Sequence, residues 1–343
     1  MSPRRAPGPS SSGPTLGEVG ESGVLEQVFA ALADGPTGGV LVGPGDDTAL
    51  LEVRRGALLA TTDTMVRGPD WRDDWSTAFD VGVKVVTQNL ADLASMGGVG
   101  TGLLVTLVAE RSTPLAWARE LTEGLAWRCA RARVPVLGGD LNGAGEGVAM
   151  VSVTALGELG DGVQQPVLRS GARPGDVLAV SGPLGRSAAG LELLLGQGRD
   201  AGSQGPAGLV AEVLAHHRRP LTDLAQGPVA ARWGATAMID VSDGLVRDGD
   251  RVARASGVVL ELADGTVAGL ADRLAPAVGD AATRCVLGGG EEHELLACFP
   301  GEPPAGWTVL GRVTEVPGGG TPGVVLNGRR LDPRTGGWDH FGG

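Results

Sequence analysis

The sequence predicts a two-domain α/β (α+β) protein, with an N-terminal mixed sheet flanked by helices and a C-terminal α/β domain. Three observations carry this. The chain has 343 residues, room for two domains of roughly 100 to 200 residues, each with its own core. Apolar runs of strand length alternate with longer stretches of helical period. That rhythm breaks at a Gly-rich segment near residue 160, so the expected division is a disordered tail over 1–21, a first domain over 22–160 and a second over 161–343.

Taken in order, the opening MSPRRAPGPSSSGPT has two arginines but no apolar core, so it reads as a tail and not as a secretory signal. Residues 23–34 read as a short amphipathic helix, and residues 36–47 as a Gly/Pro loop closing on Asp46-Asp47. Strands are expected at 48–53 and 57–62. From 77 to 96 the apolar residues Phe79, Val83, Val86, Leu90, Leu93 and Met96 recur at three- and four-residue spacing before Gly97-Gly98, the pattern of an amphipathic helix and its stop. A strand at 103–108, a helix at 114–133 and strands at 135–137 and 148–156 complete the first half. The apolar strands 103–108 and 148–156 would leave a sheet surface exposed, which favours a homodimer packed through that sheet.

The second half opens with the turn RSGARPGD, a strand at 177–181 and a helix at 188–195. A polar, Gly-rich loop is expected at 196–208, then helices at 209–217 and 221–233. A strand at 237–240 runs into SDGLVRDGDRVARASG, where Ser242 is placed to cap a helix. Further strands are expected at 258–262, 295–299 and 308–313.

Composition excludes several functions. Forty acidic against 28 basic residues give a net charge of −12, which repels a phosphate backbone and argues against nucleic acid as a partner. No apolar run approaches the roughly 18 residues of a membrane span. Cys129, Cys285 and Cys298 form neither a CxxC pair nor an even set, so a disulfide framework and a zinc site are not indicated, and a reducing, cytoplasmic compartment is expected. Lys84 is the single lysine of an Arg-rich chain, kept either for a reason or by chance on a surface helix. No P-loop, kinase signature, GxSxG or HExxH occurs, and His216-His217 read as exposed residues at a basic helix end.

The chemical signal is a series of aspartates where apolar strands are expected to end: GPGDD (Asp46, Asp47), TTDT (Asp63), LGGD (Asp140) and MIDVSDG (Asp240, Asp243), with Asp92 added from a helix. One Asp beside Gly is ordinarily a turn or cap residue. Five such sites beside strands favour a shared crevice of hard oxygen ligands, suited to Mg²⁺ with its waters and phosphate oxygens.

In order and with similar spacing, GPGDD, TTDT, NLADLASMG, LGGD, RSGARPGD, DVSDGL, GGGEEHEL and WDHF resemble the motifs of the thiamine-monophosphate kinases. That family belongs to a superfamily with aminoimidazole ribonucleotide synthetase and selenophosphate synthetase. The resemblance spans residue 22 to the C-terminus and implies ATP-dependent phosphorylation of thiamine monophosphate to thiamine diphosphate by direct, Mg²⁺-assisted transfer, in a homodimer. It implies that Asp47, Thr61, Thr62, Asp63, Asp92, Asp140, Asp240 and Asp243 hold several Mg²⁺ ions. Gly139, Asp140, Arg169 and Ser242 would meet ATP, and Glu291 and Trp338 the thiamine moiety, Trp338 by stacking on a cationic ring.

The chemistry fits such a site. ATP and a phosphate monoester together bring about six negative charges, whose repulsion costs several kcal/mol at close range unless metal ions offset it. The acceptor oxygen is already ionised, so no distinct general base is needed. Two positions depart from the family. Asp70-Trp71 stands where a His-Phe pair is common, so Asp70 takes the substrate-side position, and GGGEEHEL replaces GGEDYEL. Two alternatives remain: another ATP-dependent synthetase of the superfamily, or a catalytically weakened nucleotide-binding regulatory protein.

Overall fold

The computed structural model describes residues 13–43, 48–197 and 207–334. The chain divides into two compact units, Met1–Asn89 with Gly100–Glu158, and Leu90–Val99 with Leu159–Gly343. Leu90–Val99, expected in the first domain, thus counts with the second unit.

The expected tail is corrected from residue 15 onward; residues 1–12 lie outside the described residues. Helix α1 (Leu16–Leu32) starts inside the stretch read as disordered. Glu18 Oε2 accepts the backbone N–H of Thr15 at 2.8 Å, one half of a capping box, and Leu16 and Gly17 donate to the carbonyls of Thr113 and Arg111. Gly20, at φ 68°, kinks the helix, which is why regular apolar spacing begins only after it.

Two short strands, β1 (Val40–Val42) and β2 (Leu50–Leu51), pair with each other. Then come β3 (Leu59–Val66), α2 (Ala78–Ser95), β4 (Gly98–Glu110), α3 (Leu115–Ala132), β5 (Val136–Ala144) and β6 (Ala149–Leu159). The four longer strands form one sheet in the order β3-β6-β4-β5, which leaves β3 and β5 on opposite edges. β3 runs antiparallel to β6, and β4 parallel to β5. Helix α2 is buried on nearly every side and not along one stripe. Lys84 sits in it at 4% exposure, so the surface-helix reading of the single lysine is wrong.

The second unit contains β7 (Val177–Val180), α4 (Arg186–Gln197), α5 (Ala207–Arg218), α6 (Gln226–Arg232), β8 (Ala237–Asp240), α7 (Leu245–Ser256) and β9 (Val259–Leu262). It continues through α8 (Asp264–Val278), α9 (Ala282–Gly288), β10 (Leu295–Phe299), β11 (Thr308–Thr314), β12 (Gly323–Leu326) and β13 (Arg329–Arg330). The seven strands are ordered β13-β12-β9-β11-β7-β10-β8, antiparallel throughout except for β12 beside β9. Phe299 meets Trp307 edge-on at 5.2 Å in a core with Met238, Leu295 and Ala179. Helices α8 and α9 went unread in the sequence, where Gly265, Gly269 and Pro276 interrupt the helical pattern. Of the expected loop at 196–208, residues 198–206 lie outside the described residues. No described helix is long and apolar enough to cross a membrane.

Candidate active site

In the first unit, Asp63 lies in the middle of β3 and Asp140 in the middle of β5, not at strand ends as expected. Asp63 stands opposite Val153 of β6, and its backbone N–H points off the sheet edge, where Asn89 Oδ1 accepts it at 3.1 Å. Asn89 is fully buried and spends its amide nitrogen on the Val85 carbonyl, so both its ends are used to hold Asp63 against α2. Successive strand residues face opposite ways: Thr61 and Asp63 share the face of buried Met65, while Thr62 takes the other face. The Thr62 hydroxyl donates to the Val153 carbonyl at 3.0 Å and receives the Thr154 hydroxyl at 3.3 Å. The side chains of Thr62 and Asp63 therefore do not converge.

Asp140 is exposed and pairs in register with Thr106, and its Oδ2 receives Asn142 Nδ2 at 2.5 Å. Beside it, a Cβ on Gly139 would come within 1.8 Å of the Val105 carbonyl, so only glycine fits there. Asp63 and Asp140 stand on opposite edge strands of the sheet, with β6 and β4 between them.

Asp70 holds a turn: its Oδ2 accepts the Val66 N–H at 2.7 Å. Arg67, next to it, is paired with Glu110 at 3.1 Å and Asp73 at 3.2 Å, while Arg72 is paired with Asp74 and stacked on Trp75.

The second unit gathers a denser set. β8 ends on Asp240, and the SDG turn leads into α7. The cap expected of Ser242 falls to Gly244, at φ 116°, which begins the helix with no side-chain cap. The missing acceptor is supplied from within the helix, since Asp248 Oδ2 takes the N–H groups of Asp243 and Gly244 at 2.8 and 3.0 Å. Asp248 is fully buried and was missed in the sequence, where it reads as a helix-face residue. Burial, and next the charge of Asp240, push its carboxyl up to about 7, with Arg251 pulling the other way. Arg251 bridges Asp248 and Asp243, each at 2.5 Å. Ser242 and Asp243 are half-buried beside this pair.

The loop after α9 closes over this turn. A Cβ on Gly290 would lie 2.5 Å from the Ser242 carbonyl, and that carbonyl receives the Glu291 N–H at 2.7 Å. Glu291 and His293 both have left-handed backbones, at φ 60° and 56°, so the loop turns at alternate residues. His293 reaches Asp240 Oδ2 at 3.2 Å through Nδ1. Between them, Glu292 is fully buried, accepts the Ser187 N–H at 2.6 Å and faces His216 Nε2 at 3.0 Å. Glu294 binds the Ser181 hydroxyl and Arg186, and burial raises its carboxyl above the usual range.

His216 and His217 are buried and each faces a carboxylate, not exposed as expected. His217 Nδ1 lies 3.1 Å from Ser187 Oγ and 3.5 Å from Glu291 Oε2. A hydrolytic relay needs serine and carboxylate on opposite ring nitrogens, so this trio is not one.

Arg169 is not brought to this turn by its backbone. Its carbonyl accepts the Ser256 hydroxyl at the far end of α7, about 17 Å along the helix from Leu245. Asp92, half-buried on α2, accepts the Ser95 hydroxyl with its carbonyl. Asp47 and Trp338 lie outside the described residues. Among the described residues, no group of three or more His, Cys, Asp or Glu side chains is arranged to hold a metal ion.

Residues 45–159 match the profile of the family described as AIR synthase related protein, N-terminal domain. Over 336 residues the chain is 41% identical to a thiamine-monophosphate kinase of Mycobacterium tuberculosis, covering 97% of this chain and 95% of that protein. The chain belongs to the thiamine-monophosphate kinase family. Two solved structures agree. A thiamine-monophosphate kinase from Stenotrophomonas maltophilia superposes with a TM-score of 0.74 at 27% identity, covering 90% of this chain and 96% of that one. AaThiL complexed with AMPPCP and TMP gives a TM-score of 0.71 at 29% identity, covering 96% and 100%. The fold class expected from the sequence, mixed α/β in two units, is the one these kinases have.

Proposed function

We propose that this protein transfers the γ-phosphoryl group of ATP to thiamine monophosphate, forming thiamine diphosphate. The observation that carries this is the near full-length likeness at 41% identity, with the carboxylates Asp63, Asp140, Asp240 and Asp243 all present on the matching scaffold. The reaction is an in-line displacement in which a phosphate oxygen of the acceptor attacks the γ-phosphorus and ADP leaves. The attacking oxygen is ionised near neutral pH, so the chain needs to position and offset charge, not remove a proton.

The donor set fits Mg²⁺, being carboxylate oxygens with threonine hydroxyls nearby. A Mg²⁺ ion needs only one or two protein carboxylates when phosphates and waters complete its shell, so a three-acid cluster is not required. We assign Asp63, Asp140, Asp240 and Asp243, together with Asp47, Asp92 and Thr61, to holding the ions, which supply the positive charge that lets two anions approach. Thr62, with its hydroxyl turned to the Val153 carbonyl, serves through its backbone. Gly139, Arg169 and Ser242 belong to the nucleotide side, and Glu291, Trp338 and the turn held by Asp70 to the thiamine side.

We also read the protein as a cytoplasmic homodimer. The strands β3 and β5 that carry Asp63 and Asp140 are both sheet edges, and Val66, Leu104 and Val148 are exposed on or beside that sheet. Three buried, unpaired thiols suit a reducing compartment.

The test is direct. Protein, MgATP and thiamine monophosphate are mixed, and thiamine diphosphate is read as thiochrome fluorescence after oxidation. Product that requires both ATP and Mg²⁺ is expected; its absence would reject the reading. Light scattering should give about 69 kDa, twice the chain mass of 34.6 kDa.

A further inference from the structure

The two histidines of α5 have no part in the reaction as described, yet both are buried against the loop that carries Glu291. Burying polar side chains restricts what they can face, and here two consecutive histidines lie beside two consecutive carboxylates. His216 Nε2 faces Glu292 Oε2 at 3.0 Å, and His217 Nδ1 lies 3.5 Å from Glu291 Oε2. The two pairs have different surroundings. Glu292 is wholly inside and is further held by the Ser187 N–H, so the first pair pins the loop backbone between two left-handed residues. The Glu291 side chain is 34% exposed, so the second pair orients a carboxylate that reaches solvent. The Ser187 hydroxyl, 3.1 Å from the same Nδ1, meets the ring at the nitrogen that faces Glu291 and holds it in place.

We propose that His217 is a positioning residue for substrate: held by Ser187, its imidazole sets the direction of the Glu291 carboxylate, while His216 and Glu292 anchor the loop that presents it. This rests on the reading of Glu291 as a contact of the thiamine moiety. The device acts on ground-state recognition of the acceptor and not on the phosphoryl group, so it should appear in KM for thiamine monophosphate and leave kcat and KM for ATP nearly unchanged.

Three variants test this: H217L, which keeps bulk without polarity; H217N, whose amide nitrogen stands where Nδ1 does; and S187A. Each is assayed by steady-state kinetics with either substrate varied, by calorimetric titration with thiamine monophosphate, and by thermal melting. We expect H217L to raise KM and Kd for thiamine monophosphate on the order of tenfold, with kcat and KM for ATP within about twofold. H217N should recover most of that loss, and S187A should shift the same constant by a smaller factor.

A purely structural role would lower the melting temperature and the active fraction while leaving KM for thiamine monophosphate unchanged, and that result overturns the proposal. If H217L does not fold, H217N and S187A decide it, because unchanged KM and Kd in both also overturn it. Wild-type protein that makes no thiamine diphosphate would instead reject the reading of the whole site. An unaltered wild type with unaltered variants rejects only the role of His217.

Discussion

The carboxylates of the two units are held in opposite ways. Asp63 and Asp140 project from the middle of edge strands, and what fixes them is backbone: the Asn89 amide on the Asp63 N–H, and strand register for Asp140. Asp240, Asp243 and Asp248 are packed around a helix start, and what fixes them is side-chain contact: Arg251 between two of them, His293 Nδ1 beside the third. The first pair is expected to lose its negative charge without unfolding the chain. In the second set Asp248 is already pushed toward its neutral form, and what a substitution there disturbs is its acceptance of two backbone N–H groups and its contact with Arg251.

The sharpest test of this contrast is to neutralise one acid from each set. D63N and D140N should each lower turnover at least a hundredfold, with melting temperatures within about two degrees of wild type. Equal loss of stability in these variants would erase the distinction. D248N should behave the other way, because it weakens the acceptor of two backbone N–H groups and the partner of Arg251. A cost of about 1–3 kcal/mol is expected, seen as a melting temperature several degrees lower.

The pH dependence of that cost has a definite sign. Burial raises the folded-state carboxyl of Asp248 to about 7, above its ordinary value of about 3.9 when unfolded. The folded state therefore holds this proton more tightly, so the contribution is present at low pH and is lost as pH rises through about 7. Measured as the difference in melting temperature between wild type and D248N, the advantage of wild type should be larger at pH 5 than at pH 8. The smallest effect is expected at Asp70. Its carboxylate is turned to the Val66 N–H, and an amide oxygen accepts that bond as well, so D70N should change KM for thiamine monophosphate by no more than about twofold. A tenfold fall in KM would mean that Asp70 faces the acceptor phosphate after all.

Much of this was legible in the sequence. Strand 237–240, strand 295–299 and the core of α2 were marked by apolar runs and period, and the aspartate motifs by repetition beside them. The errors share one cause. Alternation and period describe the local chain, whereas burial is decided by what comes to lie on top of it. Lys84 and His216 occupy helix positions that read as solvent-facing until a partner from elsewhere covers them. Asp63 seemed to end a strand because polar residues crowd around it, but an edge strand tolerates them. Asp248 could have been found: an acid in the first turn after a capless Ser-Asp-Gly is where a helix would draw a substitute acceptor.

Lys84 has a further consequence, for proteolysis. A protease specific for lysine has a single target in the whole sequence, the bond between Lys84 and Val85, and that bond lies inside α2 with its side chain 4% exposed. The folded chain should therefore resist such an enzyme, and cleavage, when it occurs, should give two fragments. Its rate reports the opening of one helix, the helix whose two ends belong to different units and whose Asn89 holds Asp63.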